Sequence, residues 1–387
     1  MGSRRVGHNG MKFYTFHLWK CLFTQIRLHT DCRMLSTKLS CLLGLLAMGG
    51  LAWNMHPTLE QSFEDLPPVT QDLMDQFKAF QIQYNKSYPD PAERERRFEI
   101  FADNLAWAQW LTEKHGGMAQ FGVTQFSDLT EEEFHQLYQP AQSSGKEPSL
   151  KTGEPPGLQR PLIRSCDWRK AGVLTPVRKQ EKCCSCWAIA AVGNVEALWA
   201  IHYQQHFELS VQEVLDCVRC GKGCEGGYIW DAFMTILQQG GLARERDYPY
   251  QDQLSPEGCQ KNQNRTVWIQ DFLILPKEEN AMAQYLAQKG PITVTINKAL
   301  LKAYKKGVIK PQFNCDPNHV DHCVLLVGFS QSPKEGAYWI LKNSWGSDWG
   351  EEGYFRLQRG MNACGITKYP VTALVGREDG PGPSCPR

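Results

Sequence analysis

The feature that most constrains this chain is the run Gln-Glu-Lys-Cys-Cys-Ser-Cys-Trp at 180–187, which leads directly into a helical pattern. Beyond it, apolar residues recur at the spacing of one buried helix face, at Ala190, Ala191, Val195, Leu198 and Trp199. Cys186 would therefore lie at the N-terminus of a helix. Unpaired backbone amides and the helix dipole favour negative charge there, so this thiol is biased toward the nucleophilic thiolate.

Two later segments offer partners for a thiolate. His322 lies in Val-Asp-His-Cys-Val-Leu-Leu-Val-Gly at 320–328, and Asn343 lies in Tyr-Trp-Ile-Leu-Lys-Asn-Ser-Trp-Gly at 338–346. Taken singly, a cysteine at a helix start is more often a disulfide partner or a buried thiol, and the other two are more often a strand histidine and a turn residue. Their order and contexts together favour a catalytic arrangement.

The three segments resemble the catalytic segments of the papain family of cysteine proteases. The matching patterns are Gln-x-x-Cys-x-Ser-Cys-Trp, Asp-His-x-Val-Leu and Lys-Asn-Ser-Trp-Gly, and the resemblance extends from about Gln71 to Val375. It implies an α+β, papain-like two-lobed fold, with a helical lobe, a β-barrel-like lobe and a cleft between them, preceded by a helical inhibitory propeptide. Helical patterns followed by short β-branched runs in the second half are consistent with that fold class.

The resemblance also implies a role for each matching residue. Cys186 would attack the peptide carbonyl, and His322 would hold the thiolate as an ion pair and then protonate the departing amine. Asn343 would fix the tautomer of the imidazole, and Gln180 would donate its amide to the oxyanion together with the Cys186 backbone. Trp345 would shield the His–Asn contact from water at the edge of the substrate cleft.

Substrate contacts are implied in the same way. Gly226 and Gly227 would hydrogen-bond an extended substrate backbone. The pocket for the side chain two residues before the cut would be lined by Tyr228, Ile229, Thr295, Val320 and Tyr369. Because Tyr369 at the floor would shorten this pocket, we expect a preference for modest apolar side chains.

Two departures from the family pattern concern cysteines. Cys184 stands where the family has glycine, after Glu181 and Lys182 in place of small residues, and Cys323 follows His322 where a small residue is usual. A Cβ and sulfur at 184 would crowd the substrate, which predicts restricted or weak proteolysis. The alternative is a papain-like fold with little or no proteolytic activity that binds peptides or regulates. Strand alternation predicts that Cys323 points away from the His322 face into the core.

The first 53 residues contain targeting signals rather than a domain. Residues 34–53 have the basic start and short apolar core of a signal peptide, too short for a comfortable membrane span. Residues 1–33 are basic and lack a globular pattern, and we expect them to be absent from the native product. The alternative is an uncleaved signal anchor, which alone would make a membrane a partner.

Residues 54–160 are expected to form the inhibitory propeptide. Helical periodicity supports this at Leu73, Phe77, Phe80 and Tyr84, then at Phe98, Phe101, Leu105 and Ala108. By resemblance, the propeptide pattern falls on Glu93, Arg97, Phe101, Asn104 and Ala108, then on Gly122, Phe126 and Asp128, with Thr112 and Thr124 as departures. Linker composition at 141–157 places processing near 160–164. The peptidase domain would span 161–375, with a flexible tail at 376–387.

Fifteen cysteines suggest an oxidising compartment, which we take to be the endoplasmic reticulum lumen or the lysosome. The resemblance pairs Cys183 with Cys224, Cys217 with Cys259, and Cys315 with Cys364. Besides the nucleophile, this leaves Cys166, Cys184, Cys220, Cys323 and Cys385 in the peptidase and tail, an odd number, so at least one thiol stays free or pairs outside the chain. Two Cys-x-x-Cys spacings could suggest zinc, but an oxidised framework explains them better.

A net charge of +1 gives no reason to expect nucleic acid as a partner. The expected partners are peptide or protein substrates, the chain's own propeptide and cystatin-like inhibitors, and we expect no cofactor or metal. Asn85 and Asn264 begin Asn-x-Ser/Thr sequons and are candidate glycosylation sites on a secretory route.

Overall fold

The structure is a computed structural model that describes residues 71–137, 163–219, 221–311, 314–376 and 385–387. The expected upstream extension, signal segment, linker and processing region, Cys220 and the first part of the tail lie outside the described residues. The helices are α1 (Gln71–Gln83), α2 (Pro91–Lys114), α3 (Glu131–Leu137), α4 (Cys186–Tyr203), α5 (Val211–Cys217), α6 (Ile229–Gln239) and α7 (Glu279–Gln288). The strands are β1 (Ala119–Phe121), β2 (Cys166–Asp167), β3 (Asp271–Ile274), β4 (Ile292–Ile296), β5 (Tyr304–Ile309), β6 (His322–Ser332), β7 (Gly336–Lys342), β8 (Tyr354–Gln358) and β9 (Val371–Leu374).

Helices α1 and α2 pack through an aromatic cluster. Asp90 caps α2 by accepting a hydrogen bond from the Glu93 amide at 2.8 Å, and proline occupies the first helical position, which suits its fixed φ. Phe77, Phe80 and Phe101 are buried between the two helices. The helical periodicity predicted for this region is therefore confirmed, and these rings supply the apolar burial that two isolated helices need.

Helix α4 is the central element of the helical half. It begins at Cys186, as the sequence pattern predicts, and most of its side chains are buried because it packs against both α6 and β6. Among the described residues, no helix is long and apolar enough to span a membrane.

Within the described ranges, nine strands form one sheet, in the order β1-β5-β8-β7-β6-β4-β9-β3, with β2 paired to β6. The ladders are antiparallel except for β5 with β8. Strand β1 comes from the N-terminal helical region and extends the sheet edge, pairing Ala119 with Gly307. Gly307 has φ +93°, and a Cβ there would lie 2.1 Å from the Met118 carbonyl oxygen, so only glycine permits this approach.

The expectation of a flexible C-terminal tail is wrong for its last three residues. Cys385 is disulfide-bonded to Cys166, and its amide donates to the Ala287 carbonyl at 3.2 Å. The Asp167 amide donates to the Pro386 carbonyl at 2.9 Å. Glycine and proline content is the basis of that prediction, but a covalent bond across 219 residues fixes the chain end regardless of local composition.

Replacing Cys385 with serine should lower the free energy of unfolding by about 2–5 kcal/mol, because removing a native disulfide restores conformational entropy to the unfolded chain. Equilibrium denaturation under non-reducing conditions measures this. The matched variants are Cys166→Ser and the double mutant, which should be no less stable than either single mutant. Equal stability of Cys385→Ser and the parent protein would contradict the assigned bond.

Candidate active site

Cys186 is the first residue of α4 and is 2% exposed. The preceding Ser185 occupies the N-cap but makes no side-chain capping bond. Its hydroxyl instead lies 2.9 Å from the Tyr250 hydroxyl and 3.4 Å from the Cys183 carbonyl. Since no side chain from the N-cap takes up the first-turn amides, they remain available to an anion at the sulfur or at a substrate oxygen.

The orientation of His322 follows from the hydrogen bonds of Asn343. The Asn343 Oδ1 accepts a hydrogen bond from the Ser344 amide at 2.9 Å, which identifies that atom as the oxygen, and it lies 2.7 Å from His322 Nε2. An oxygen cannot donate, so Nε2 must carry the hydrogen. The other nitrogen, Nδ1, is buried without a hydrogen-bond partner, and it is the ring atom left to exchange a proton with Cys186.

Three side chains favour the thiolate of Cys186. The pKa of this thiol is held well below its usual value, first by a hydrogen bond from Cys184, then by one from Cys323, and further by His322. Burial opposes the shift but is outweighed. Conversely, the pKa values of Cys184 and Cys323 are raised, because both thiols donate to Cys186 and both are buried. The negative charge is therefore placed on Cys186.

The prediction that Cys323 is a core residue is confirmed, because it lies in the buried apolar cluster that also contains Cys186. Its hydrogen bond to Cys186 was not predicted. Strand β6 begins at His322, and the nucleophile lies at this end of the strand, where side chains from both faces can reach it. Alternation alone does not capture such a contact.

Gln180 is fully buried and held on several sides. Its side-chain Oε1 accepts a hydrogen bond from the Ser344 hydroxyl at 2.6 Å, and its backbone N–H donates to the Ser344 carbonyl at 2.9 Å. Its own carbonyl accepts from the Tyr250 hydroxyl at 2.8 Å. With the oxygen fixed by Ser344, the Nε2 donor is left with one long contact of 3.4 Å, to the Cys183 carbonyl. It can thus turn toward a substrate oxyanion.

Trp345 covers the His–Asn contact and is itself covered by the N-terminal region. Its indole stacks on the His322 ring at 4.9 Å between centroids and 24°. Phe126 and Phe134 pack edge-on against the same indole, at 4.9 Å and 5.9 Å. The propeptide-like segment therefore lies directly over the ring that shields the His322–Asn343 bond.

Polar contacts fix the same interface. The Asn104 amide donates to the carbonyls of Ser127 and Leu129 at 2.8 and 2.9 Å, while its oxygen accepts from Lys302 Nζ at 2.7 Å. Burial lowers the pKa of Lys302 to about 8, so the cation still donates at acidic and neutral pH. The Thr124 hydroxyl donates to the Lys302 carbonyl at 2.5 Å. A residue of the expected propeptide pattern thus bridges to the peptidase half.

Arg97 ties α2 to α3. Its guanidinium donates to Glu133 at 2.6 Å, to Glu93 at 2.6 Å and to the Asp128 carbonyl at 2.8 Å. Burial raises the pKa of Glu133, but hydrogen bonds from Arg97, Thr130 and Arg96 outweigh it and lower the pKa to about 2. This ion pair therefore persists well into acidic pH.

The pocket residues implied by the resemblance are brought together in part. Tyr228 stacks on Trp230 at 4.4 Å, Trp230 meets Tyr369 edge-on at 5.5 Å, and these rings share an apolar cluster with Ile229 and Cys186. Thr295 lies opposite Cys323 in the β4–β6 ladder. Val320, two residues before His322, lies beside Gly365, and its place in the pocket stays a prediction.

The two glycines lie beside the nucleophile helix. Gly226 has φ +108°, which favours glycine. A Cβ on Gly227 would lie 2.8 Å from the Trp187 indole, so this backbone can approach the helix start only without a side chain. Their contact with a substrate backbone stays a prediction.

Several residues of the site were missed from sequence. Ser344 and Tyr250 orient Gln180, and Lys298 forms a buried ion pair with Asp321 at 2.8 Å, next to His322. His135 of α3 also reaches Asp321, at 3.3 Å. Asp321 and Ser344 lie inside the catalytic segments that resemble the family, so the sequence could have identified them. Lys298, Tyr250 and His135 lie far from those segments, and no sequence pattern indicates that they belong to the site.

The three disulfides implied by the resemblance are present, between Cys183 and Cys224, Cys217 and Cys259, and Cys315 and Cys364. Cys183 and Cys217 therefore cannot serve as zinc ligands in their Cys-x-x-Cys spacings. Asn85 and Asn264 are exposed, and their glycosylation stays a prediction.

A family model described as papain family cysteine protease matches residues 162–374. The chain belongs to the papain family of cysteine proteases. A second model, the cathepsin propeptide inhibitor domain, matches residues 77–134.

This papain-family protease is 53% identical over 372 residues to cathepsin W of Felis catus, covering 90% of this chain and 98% of the relative. It is 41% identical over 317 residues to cathepsin F of Mus musculus, covering 80% and 68%. Among solved structures, digestive procathepsin L 3 of Tenebrio molitor larval midgut matches with a TM-score of 0.70 and 32% identity, covering 78% of this chain and 99% of that chain.

These findings confirm two predictions: the chain is a cysteine protease, and its papain-like domain is preceded by a propeptide domain. The papain-family protease is of the cathepsin type and carries its own inhibitory domain, as a zymogen does. Its partners therefore include that propeptide and peptide substrates.

Replacing Asn104 with alanine in the full chain should weaken the hold of the propeptide by about 1.5–3 kcal/mol, the usual loss when a buried cation loses a hydrogen bond. Cleavage by an added protease at mildly acidic pH, followed on gels, should then remove the propeptide faster. Glu99→Ala, on the exposed face of the same helix, is the matched control. Equal cleavage rates for the two variants would contradict the bridging role of Asn104.

Proposed function

We propose that the chain hydrolyses peptide bonds through a Cys186 thiolate, with His322 as acid and base and Asn343 as the residue that orients it. One observation carries the proposal: Asn343 occupies Nε2 of the imidazole and so leaves Nδ1 for the thiol. The lowered pKa of Cys186 supports the same assignment. A thiolate paired with an imidazolium is a nucleophile and a proton donor in one site.

The reaction then proceeds in two halves. The Cys186 sulfur attacks the scissile carbonyl carbon, and the resulting oxyanion is stabilised by Gln180 Nε2 and the Cys186 amide. His322 gives its Nδ1 proton to the departing amine, which leaves an acyl-enzyme. In the second half, His322 takes a proton from water, the hydroxide attacks the thioester, and the carboxylate product leaves with the thiolate restored.

The propeptide would block this site until it is removed. Support comes from β1, which extends the peptidase sheet, and from Phe126 and Phe134, which lie over Trp345. We place the propeptide at 54–160 and the peptidase at 161–375, with processing near 160–164. Cystatin-like inhibitors would occupy the same cleft once it is open.

Specificity would be restricted. Cys184 stands beside Cys186 where a smaller residue would leave room for the substrate backbone, and its sulfur contacts the nucleophile. Tyr369 packs on Trp230 at one end of the predicted pocket, which supports a preference for modest apolar side chains.

The compartment would be the secretory pathway, either the endoplasmic reticulum lumen or the lysosome. Four disulfides among the described residues support an oxidising route during folding. The similarity to cathepsins is consistent with both destinations.

Gln180→Ala separates turnover from nucleophile activation. Loss of one oxyanion donor should lower kcat by about 10²–10³, while alkylation of Cys186 by a small electrophile should be retained, because that reaction forms no oxyanion. Steady-state kinetics and thiol mapping measure the two effects. Lys182→Ala, exposed nearby, should change neither. A parent enzyme that alkylates at Cys186 but cleaves no peptide would instead support the non-proteolytic alternative.

Tyr369→Ala should lengthen the pocket and raise kcat/KM for substrates with phenylalanine two residues before the cut by about 10-fold, relative to valine. A peptide library profiles the preference, with Tyr203→Ala on the exposed end of α4 as control. A parent enzyme that already prefers phenylalanine or arginine there would contradict the proposed pocket.

A further inference from the structure

Three free thiols lie together at the candidate active site. Among the described residues, Cys184, Cys186 and Cys323 are the free cysteines, and all three are buried. The other described cysteines are joined in four disulfides. Peptide hydrolysis needs one thiol, so two sulfurs next to the nucleophile are unused by the proposed reaction.

Both additional thiols contact the nucleophile from different elements. Cys184 precedes α4 and Cys323 lies on β6, and each donates a hydrogen bond to Cys186. The Cys184 backbone is fixed, since its amide donates to the Cys224 carbonyl at 2.9 Å and the neighbouring Cys183 is disulfide-bonded to Cys224. The backbone that carries Cys184 is therefore fixed beside the start of α4.

Backbone geometry permits a bond between Cys184 and Cys186. Ser185 between them has φ −96° and ψ 6°, a turn-like conformation close to helical. Within a regular helix, residues two apart point to different faces, but Cys184 lies before α4, in a tight turn where the Ser185 amide donates to the Cys183 carbonyl at 2.8 Å. Its thiol can therefore face Cys186, to which it donates, across a spacing of the order found for disulfides, about 4.4–6.8 Å between Cα atoms. Cys323 lies on another element, opposite Thr295 in the β4–β6 ladder, so a bond from Cys323 would cross-link β6 to α4, whereas Cys184 and Cys186 are separated by one residue of the same segment.

We propose that Cys184 is a resolving thiol that forms a reversible disulfide with Cys186 when the enzyme meets a peroxide. The bond converts the nucleophile into an inactive form that a dithiol reductant restores. It relies on the thiolate proposed for Cys186, because the thiolate is the form that peroxides oxidise.

The chemistry balances with hydrogen peroxide as oxidant. The Cys186 thiolate attacks one peroxide oxygen, the O–O bond breaks, and a sulfenic acid and hydroxide form. Hydroxide takes the Cys184 proton and becomes water. The Cys184 sulfur then attacks the sulfenic sulfur, the S–O bond breaks, and the departing hydroxide becomes water with the His322 proton. Two sulfurs lose two electrons, and one peroxide becomes two waters.

A neighbouring thiol also determines what oxidation leaves behind. Without a resolving partner, a sulfenic acid can be oxidised further to sulfinic and sulfonic acids, which reductants do not reverse. With Cys184 in contact, disulfide formation competes with that loss. The crowding at 184 would thus serve to protect the nucleophile.

The test treats the processed enzyme with hydrogen peroxide, then with a dithiol reductant, and maps every thiol by alkylation and mass spectrometry. The parent enzyme should yield a peptide with Cys184 bonded to Cys186 and recover its starting activity after reduction. Cys184→Ala and Cys184→Ser should carry sulfinic or sulfonic Cys186 and recover at least about 10-fold less of their own starting activity, because that oxidation is irreversible. The matched variant, Cys323→Ala, also loses a thiol that donates to Cys186, so it is compared with its own starting activity: it should still form the Cys184–Cys186 bond and recover that activity after reduction.

A Cys186–Cys323 bond in the oxidised parent, or full recovery of both Cys184 variants, would overturn the proposal. Labelling of Cys186 by a peptide electrophile in a sample not treated with peroxide tests the proposed thiolate separately from the resolving role of Cys184. An unlabelled parent would contradict the proposed thiolate itself, whereas a labelled parent that forms no disulfide would contradict only the resolving role of Cys184. The serine variant keeps a hydrogen-bond donor, so it reports on resolution when the alanine variant loses labelling.

Discussion

A negative charge at a buried sulfur is the constraint on which the rest of this structure depends. Cys186 is 2% exposed, and an unpaired charge there would be strongly destabilising. The start of α4, two donating thiols and the imidazole of His322 offset that cost. These groups come from two parts of the chain, the segment that leads into α4 and the start of β6, so the fold must bring the helical half and β6 together before the thiolate can form.

The buried charge also explains why the side chains around Cys186 are held by several hydrogen bonds each. Asn343 sets the ring of His322, Ser344 holds both Asn343 and Gln180, and Trp345 closes over the pair. Three consecutive residues thus organise both the proton-transfer group and the oxyanion donor. A buried hydrogen bond is stronger at low dielectric but more costly when unmade, which favours a site built from short, rigid segments.

The propeptide region acts on this arrangement from outside. It contributes β1 to the sheet, two phenylalanines over Trp345, and His135 beside the buried pair of Lys298 and Asp321. The phenylalanines end on Trp345, which stacks on His322, and His135 ends on Asp321, the residue before it, so one docking surface covers the side chains that support the catalytic histidine. Arg97 and Glu133 keep α2 and α3 together as that surface.

Much of this was predictable because it is local or repeated in a pattern. The start of α4, the strands around His322 and Asn343, and the paired aromatic helices follow from periodicity, and the ordered segments led to the family. The contact of Cys323 with Cys186, the Cys166–Cys385 bond and the Lys298–Asp321 pair were not predictable. Each joins residues that only the folded chain brings together, and no local propensity encodes such distances.

The most direct test of the thiolate is a pH titration of the ultraviolet thiolate absorbance of the processed enzyme, with Cys186→Ser subtracted to isolate that sulfur. A lowered pKa means that the thiolate is present above that pKa and is lost as pH falls through it. The account predicts that the Cys186 signal persists at mildly acidic pH, and that His322→Ala moves its loss to higher pH while His319→Ala leaves it in place. A signal that emerges only at alkaline pH, where an ordinary thiol ionises, would contradict it.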